Sequence, residues 1–248
     1  MKIALLVPSR ERIEKKKELV QSIINMADNL DNITLYFGID TDDPTKDKAR
    51  KIAEENSFIK IVDIPSTGKF QNLGVLWNIC ARASTEEILA MIGDDMVFIS
   101  KGWDTQIIDE FSGDKCPKDN FKMVYCNDRW HGNKIAVNAF LHRTYMDMTG
   151  YFMREEFPVD KVDIWLQQIF FAFKRLKYRK DIYIEHKHWT FRKMVVDNVV
   201  RRMRANNAEN ISNILWSKLK PERLKEAEKI SEKLGIPFDR NVINNLLP

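Results

Sequence analysis

Residues 88–96 read Ile-Leu-Ala-Met-Ile-Gly-Asp-Asp-Met, and this stretch decides the fold. Five consecutive apolar residues are typical of a short strand that is buried on both faces. Two adjacent carboxylates at the end of such a strand repel each other and lose hydration, so they stay ionised most easily beside a cation. Oxygen ligands suit magnesium or manganese, which also bridge phosphate oxygens. The alternative is a polar turn in which one aspartate is a cap.

Strand and helix signals alternate before this stretch. Apolar, β-prone runs at residues 3–7, 33–39 and 58–64 alternate with helical patterns at 11–29, 45–55 and 73–83. This order predicts an α/β protein with a Rossmann-like, mostly parallel sheet that is flanked by helices. Right-handed crossovers then bring the loops that follow the strands to one edge of the sheet, where a ligand can bind.

The pattern is mixed after the aspartate pair and becomes purely helical near residue 190. We predict helices at 103–111 and 162–176, strands at 121–127, 135–141 and 178–185, and a helix start at Pro221. These signals divide the chain into a domain at 1–190 and a helical C-terminal extension at 191–248.

The positive charge of the chain is concentrated in this extension. Residues 190–248 carry 12 basic and 7 acidic side chains, whereas residues 1–189 carry 28 and 29. A basic extension suits nucleic acid or an anionic membrane surface as a partner, and the alternative is a solvated helical surface.

Composition favours a cytoplasmic protein. Gln167 and Gln168 interrupt the longest apolar stretch, which is too short to span a bilayer. The N-terminal apolar run stops at Pro8, which is too early for a signal peptide. The three cysteines form no CxxC pair, so we expect reduced thiols.

Polar clusters follow the first two predicted strands. Pro8, Ser9 and Arg10 come after the first strand, where backbone N–H groups and a serine can bind phosphate or ribose and an arginine can supply a fixed cation. The alternative makes Ser9 a helix N-cap. Asp40 opens an acidic segment after the second strand, which can bind a base, a ribose or a cation, or can form a capped turn.

A third cluster precedes the helix at 73–83. Lys69 can pair with a diphosphate, and Asn72 and Asn78 can hydrogen-bond either a ligand or the loops above. A P-loop NTPase is disfavoured, because the Gly68-Lys69 pair is not followed by serine or threonine and lacks the upstream glycine.

Two further clusters lie late in the predicted domain. His186 and His188 point the same way in an extended segment, and one imidazole can complete a metal shell, unless the two are a surface or packed pair. No HExxH motif or cysteine ligand supports a zinc hydrolase. Asp160 and Asp163 surround a helix start. One carboxylate can be a general base, or Asp160 is the N-cap and Asp163 a first-turn residue.

In this order, the clusters resemble the GT-A fold glycosyltransferases, in particular the family 2-like enzymes, over residues 1–190. The resemblance implies an enzyme, a hexosyl- or pentosyltransferase, that uses a nucleotide-diphosphate sugar as donor and a divalent metal, manganese or magnesium. The departures are Ile92 at the first aspartate of the DxD motif, Val162 before the expected base, and no later Arg-Trp signature.

The resemblance also implies roles for single residues. Pro8, Ser9, Arg10 and Asp40 hold the nucleotide, Lys69, Asn72 and Asn78 lie near the base and diphosphate, and Asp94 and Asp95 hold the ribose and the metal. His186 or His188 is the later metal ligand, and Asp163 is the base of an inverting transfer.

The acceptor stays open between two classes. Trp103, Trp130, His131 and Trp165 follow the metal motif, where an acceptor site would form, and a basic run continues with Arg192, Lys193, Arg201, Arg202 and Arg204. Some bacteriophage members of the family modify hydroxymethylated bases in double-stranded DNA, which implies a DNA acceptor and the host cytoplasm as location. The other class is a lipid-linked or surface polysaccharide, with the basic segment as a peripheral membrane contact.

Two rival classes lie outside sugar transfer. A nucleotidyltransferase would need a glycine-rich loop after the first strand, which Pro8 to Glu11 match poorly. A nucleotide or nucleic-acid binder that has lost catalysis is kept open by Ile92.

Overall fold

A computed structural model describes residues 1–187 and 196–244. Within these ranges the strands are β1 (Ile3–Pro8), β2 (Ile33–Asp40), β3 (Ile59–Ile64), β4 (Ile88–Met91), β5 (Met96–Phe98), β6 (Met123–Asn127), β7 (Ala139–His142) and β8 (Leu176–His186). The helices are α1 (Ile13–Met26), α2 (Lys46–Glu54), α3 (Leu73–Ala83), α4 (Trp103–Glu110), α5 (Thr144–Thr149), α6 (Val162–Ala172), α7 (Asn198–Ala205), α8 (Ala208–Lys218), α9 (Lys220–Leu234) and α10 (Arg240–Asn244).

The strands form one sheet in the order β3-β2-β1-β4-β7-β6-β8-β5. β1 pairs in parallel with β2 and β4, β2 with β3, and β6 with β8, whereas β7 and β5 run antiparallel to their neighbours. The predicted α/β fold with a mostly parallel sheet is confirmed. As a result, the carboxyl ends of β1, β2, β4, β6 and β8 lie along one edge.

Both faces of the sheet are covered, which explains the continuous apolar runs. Side chains alternate along β1, so that Ala4 and Leu6 join one hydrophobic cluster while Ile3, Leu5 and Val7 join the other. The first cluster includes residues of α3 and α6, and the second includes residues of α1, α2 and α4.

The C-terminal segment is helical, as predicted, and packs on the first cluster. Trp216 of α8 and Ile230 of α9 are buried in it together with Trp165 of α6. Arg223 of α9 is fully buried, with its guanidinium carbon 3.8 Å from the centroid of the Trp216 ring. Part of the basic charge of this segment therefore lies inside the protein and cannot face a partner.

The structure differs from the sequence prediction in short elements. β5 and α5 were not predicted, since three and six residues carry too little periodicity to show. β7 begins at Ala139 because the residues before it are held in a loop, where the Ala136 N–H donates to Gln167 at 3.0 Å. Within the described ranges, no helix is long and apolar enough to cross a membrane.

We predict that Glu226 stabilises the packing of α9 on the core. Its buried carboxylate accepts from the Tyr145 hydroxyl at 2.6 Å, from Trp165 Nε1 at 3.1 Å, and from the Tyr151 hydroxyl. Glu226→Ala leaves these buried donors without their acceptor, so the free energy of unfolding in urea should fall by about 3 kcal/mol.

Glu228→Ala on the same helix is the matched control. Glu228 forms an exposed ion pair with Arg240 at 2.8 Å, and its removal should cost less than about 1 kcal/mol. Equal losses for the two variants would contradict the role of Glu226.

Candidate active site

A cavity of about 300 Å³ opens at the edge where β1, β2 and β4 end. It brings together most of the residues singled out in the sequence, which come from six separate segments of the chain. Those that line it are Pro8, Ser9, Arg10, Asp40, Lys69, Asp94, Asp95, Asp163 and His186.

One end of the cavity is built around Arg10. Its Nη1 donates to Asp40 at 2.9 Å and to Asp42 at 2.5 Å. Burial acts to lower the pKa of Arg10, but these two carboxylates outweigh it and the pKa is raised. Asp43 serves the capped turn, since it accepts from the Thr45 N–H at 2.7 Å. The capped-turn interpretation therefore holds for Asp43, whereas Asp40, which lines the cavity, stays a predicted ligand contact.

Ser9 is bound to the aspartate pair. Its Oγ donates to Asp94 at 2.5 Å, and its N–H donates to the Gly38 carbonyl at 2.9 Å. The N-cap alternative for Ser9 is wrong, because α1 begins at Ile13. The serine hydroxyl instead fixes one oxygen of a carboxylate that is itself buried.

Arg12 is a site residue that the sequence prediction missed. Its Nη1 donates to the second oxygen of Asp94 at 2.8 Å, and its Nε donates to Asp197 at 2.7 Å. Arg12 and Glu11 have φ values of +54° and +59°, a left-handed conformation that is uncommon for residues with side chains. The Glu11 N–H is held by Asp43 at 2.7 Å, which helps to maintain this loop.

Asp95 and His186 form the second charged contact of the pair. Their Oδ1 and Nε2 atoms are 3.3 Å apart, and the antiparallel pairing of Met96 with His186 fixes this approach. Burial would raise the pKa of Asp95, but His186 and Arg12 outweigh it and the pKa is lowered. Burial would lower the pKa of His186, but Asp95 outweighs it and the pKa is raised.

Asp95 and His186 are the candidate metal ligands at this site. Within residues 1–187 and 196–244, no three His, Cys, Asp or Glu side chains converge on one point. His188, the other predicted ligand, lies outside the described residues.

Two carboxyl groups lie at the entrance of α6. Asp163 is in its first turn and accepts from the Ile164 N–H at 2.8 Å. The N-cap is Lys161, so the N-cap interpretation of Asp160 is wrong. Burial raises the pKa of both carboxyl groups, and in Asp160 the nearby Asp163 and Glu209 contribute to a pKa of about 6.

Asn72 and Asn78 bind the protein's own chain. Asn72 Nδ2 donates to the Glu155 carbonyl at 2.9 Å, and Asn78 Nδ2 donates to the Met153 carbonyl at 2.8 Å. A Cβ on Gly74 would lie 1.9 Å from the Arg154 carbonyl oxygen, so only glycine fits there. Of the two predicted uses, the structure supports contact with the loop above, and neither asparagine lines the cavity.

α7 forms a wall of the cavity. Asp197 is its N-cap and accepts from the Val200 N–H at 3.0 Å, while Val199, Val200, Arg202 and Met203 line the space. Arg192 and Lys193, which begin the predicted basic run, lie outside the described residues. The run is therefore not one continuous outer surface: Arg202 faces the cavity, whereas Arg201 is exposed.

The predicted acceptor residues separate into two groups. Trp103 and Trp165 are fully buried core residues, so their prediction as acceptor contacts is wrong. Trp130 is 55% exposed, and the side chain of His131 is partly exposed.

Comparison with solved structures identifies the fold. A mannosyltransferase from Pyrobaculum calidifontis in complex with GDP-Man and Mn²⁺ has a TM-score of 0.60 and 14% identity, over 75% of this chain and 56% of that one. S. aureus TarS in complex with UDP has a TM-score of 0.57 and 12% identity, over 74% of this chain and 60% of that one. TarS with UDP-GlcNAc has a TM-score of 0.56 and 10% identity, over 76% and 59%.

The chain therefore has the GT-A fold of nucleotide-sugar glycosyltransferases, and it spans less than two thirds of the length of these proteins. Identities this low establish the fold alone. No protein-family model and no curated protein sequence matches the chain.

We predict that the charge of Asp197 stabilises the contact between α7 and the β1–α1 loop. Burial would raise its pKa, but Arg12 and the Val200 N–H outweigh it and lower the pKa to about 2. Asp197→Asn keeps a capping oxygen and loses the charge, so at pH 7 the variant should be less stable by about 1–2.5 kcal/mol.

The pH dependence follows from the sign of this shift. A carboxylate with a lowered folded pKa stabilises above its unfolded pKa of about 4, and this contribution should fall to about half at pH 3. Melting temperatures from pH 7 to pH 3 measure it. Asp63→Asn, in an exposed pair with Arg50, is the control, and an equal or pH-independent effect at Asp197 would contradict the prediction.

Proposed function

We propose that this chain is a metal-dependent glycosyltransferase that moves a sugar from a nucleotide-diphosphate sugar to an acceptor hydroxyl with inversion at the anomeric carbon. One observation carries the proposal. In a GT-A fold, a single cavity joins the Arg10 and Asp40 contact, the Asp94 and Asp95 pair, and a carboxyl group at the start of α6.

The nucleoside is assigned to the end of the cavity at β1 and β2. Pro8, Arg10 and Asp40 line that end, with Lys69 in the facing loop. Lys69 and Arg202 bring positive side chains to the same cavity, as a diphosphate requires. The similar mannosyltransferase and TarS structures contain GDP-Man, UDP and UDP-GlcNAc, which supports a donor of this class.

The residues present fit a divalent metal at Asp95 and His186. Both oxygens of Asp94 are engaged by Ser9 and Arg12, so we assign the metal carboxylate to Asp95 and a structural or ribose contact to Asp94. A metal such as Mn²⁺ would complete its shell with water and the donor diphosphate, and when bound it would stabilise charge on the leaving group. The Mn²⁺ of the mannosyltransferase supports a metal in this fold.

We assign the general base to Asp163. The acceptor hydroxyl gives its proton to the Asp163 carboxylate, and the hydroxyl oxygen forms a bond to the anomeric carbon. The bond from that carbon to the diphosphate oxygen breaks, and its electron pair leaves with the diphosphate. A raised pKa suits the role, because a base works best when its pKa approaches the ambient pH.

The acceptor proposed from the sequence is a hydroxymethylated base in DNA, with a lipid-linked or surface polysaccharide as the alternative. The described part of the basic segment gives limited support to a DNA track along α7 to α10. Arg223 is buried, Arg202 lines the cavity, and Arg240 is paired with Glu228 at 2.8 Å.

A first prediction tests donor and metal together. The wild type is melted with GDP, UDP and other nucleoside diphosphates, each with and without Mn²⁺. A ligand at 100 times its Kd should stabilise by about 2.7 kcal/mol, or roughly 5–10 °C, and the shift should require the metal.

Asp95→Ala should abolish the metal-dependent shift, and Asp109→Ala, which removes an exposed carboxylate paired with Lys115, should retain it. If no nucleoside diphosphate stabilises the wild type, the proposed function fails. If the nucleotide shift persists unchanged in Asp95→Ala, the metal assignment fails.

A second prediction separates the two carboxyl groups at α6. Asp163→Asn should lower the rate of metal-dependent donor hydrolysis by roughly 10²–10⁴-fold, since the attacking hydroxyl loses its base, while nucleotide stabilisation is kept. Asp160→Asn, the neighbouring carboxyl group in the same cavity, should change the rate by less than about tenfold. The reverse order of effects would move the base to Asp160.

A further inference from the structure

Hydrogen bonds to a buried carboxylate hold the surface turn formed by residues 128–132. The Asp128 side chain is fully buried. Its Oδ1 accepts from the backbone N–H groups of Trp130, His131 and Gly132 at 3.0, 2.8 and 3.1 Å, and its Oδ2 is 2.6 Å from His131 Nδ1. A buried carboxylate is destabilising unless it is well hydrogen-bonded. Because all four contacts of Asp128 go to this turn, a change in the conformation of the turn would leave the buried carboxylate without partners.

This fixed turn displays aromatic surface to solvent. Trp130 is 55% exposed, and Tyr183 of β8, which is opposite Asn127 in the β6–β8 register, is 39% exposed. The Tyr178 hydroxyl lies 3.9 Å from the position of a Cβ on Gly132, which places a third ring beside the turn. Exposed apolar side chains are ordinary when scattered, but an exposed ring on a rigid turn with further rings on the adjacent strand is typical of a binding surface.

The turn lies beside the chemical end of the cavity and away from the nucleotide end. The Asp128 carbonyl accepts from the His186 N–H at 3.3 Å. Burial raises the pKa of Asp163, and Lys161 and His131 are near enough to oppose that rise. In the sheet order, β6 and β8 lie on the other side of β4 from β1 and β2. With the donor at the β1 and β2 end, as proposed above, an acceptor would approach from this side.

Basic side chains surround these rings. Arg129 and Lys134 are exposed in and after the turn, and Lys180 is exposed on β8. Asp181, the acidic residue in that part of β8, is paired with Arg179 at 2.6 Å. The Lys180 carbonyl accepts from Asn127 Nδ2 at 3.4 Å, so this lysine lies next to the base of the turn.

We propose that the 128–132 turn and the adjacent face of β8 are a nucleic-acid-binding surface, on which an unstacked base lies against Trp130 and the strand phosphates meet Arg129 and Lys180. The inference rests on the proposed function, since it gives that function its acceptor. Stacking on an aromatic ring combined with basic side chains is how proteins hold single-stranded or flipped nucleotides.

The same observations disfavour the polysaccharide and membrane alternatives. A neutral glycan can pack on Trp130 but makes no use of Arg129 and Lys180. A membrane surface requires apolar residues that penetrate together, and the exposed Ile211 and Ile214 are on α8 rather than beside the turn. Rings and positive charges next to one another fit a ligand that has both flat bases and phosphates.

Binding of a fluorescent single-stranded oligodeoxynucleotide to the full chain, measured by anisotropy, tests the proposal. Trp130→Ala should weaken binding by about 5- to 150-fold, and Trp130→Phe should restore most of it. Phe171→Ala is the matched control, because Phe171 is a 50% exposed aromatic residue on α6, and it should bind like the wild type. Lys180→Ala should lower the slope of log K against log salt by about 0.7.

Several outcomes overturn the proposal. The proposal fails if the wild type does not bind the oligonucleotide, or if Trp130→Ala and Phe171→Ala weaken binding equally. It also fails if binding is lost in Arg201→Ala but kept in Trp130→Ala, because that result would place the strand on α7. Melting with nucleoside diphosphates on the same wild-type preparation separates the two claims. A nucleotide shift without oligonucleotide binding rejects this surface alone, whereas Trp130-dependent binding without any nucleotide shift supports the surface and rejects the proposed transferase.

Discussion

The repulsion between Asp94 and Asp95 is the constraint on which the rest of the site depends. Both side chains are largely buried at the end of β4, and two adjacent carboxylates cannot remain ionised there without positive charge nearby. Arg12 supplies it at 2.8 Å from Asp94, and His186 supplies it, when protonated, at 3.3 Å from Asp95. Arg12 and His186 each reach their aspartate through a particular feature of the backbone. Arg12 needs two consecutive residues in the left-handed conformation, and His186 needs the antiparallel pairing of β5 with β8.

This constraint also draws the C-terminal segment into the site. Arg12 donates to Asp197 as well as to Asp94, and Asp197 caps α7, whose side chains close one wall of the cavity. Arg12, which balances the charge of Asp94, therefore also positions α7, although Arg12 and Asp197 are more than 180 residues apart in sequence. On the opposite side, Glu226 and the stacked Arg223 hold α9 against α6. The described part of the C-terminal extension is in this way a structural part of the cavity and of the core.

The sequence predicts what depends on periodicity and on the ends of strands. The buried runs of β1, β2 and β4 and the polar residues after them are local signals, and parallel topology converts them into one cavity. The sequence does not reveal contacts that depend on unusual backbone or on long-range pairing. Arg12 reads as part of a helix because nothing marks a non-glycine residue for positive φ. Asn78 reads as a ligand contact because its amide would serve a ligand or a loop equally well, and only the structure shows the Met153 carbonyl beside it. Trp103 and Trp165 show that an aromatic residue after a metal motif is more often part of the core.

The distribution of charge in the cavity explains why a cation would be needed for the proposed chemistry. Arg10 is held by Asp40 and Asp42, and Arg12 by Asp94 and Asp197, so both arginines of the β1–α1 loop already balance carboxylates of the protein. A diphosphate that enters this space meets Lys69 and Arg202 from the walls, but it also approaches Asp95. A divalent ion between Asp95, His186 and the diphosphate would turn that repulsion into attraction, whereas Asp94, locked by Ser9 and Arg12, would keep its position throughout. The proposed roles of the two aspartates thus follow from which of them the protein has already neutralised.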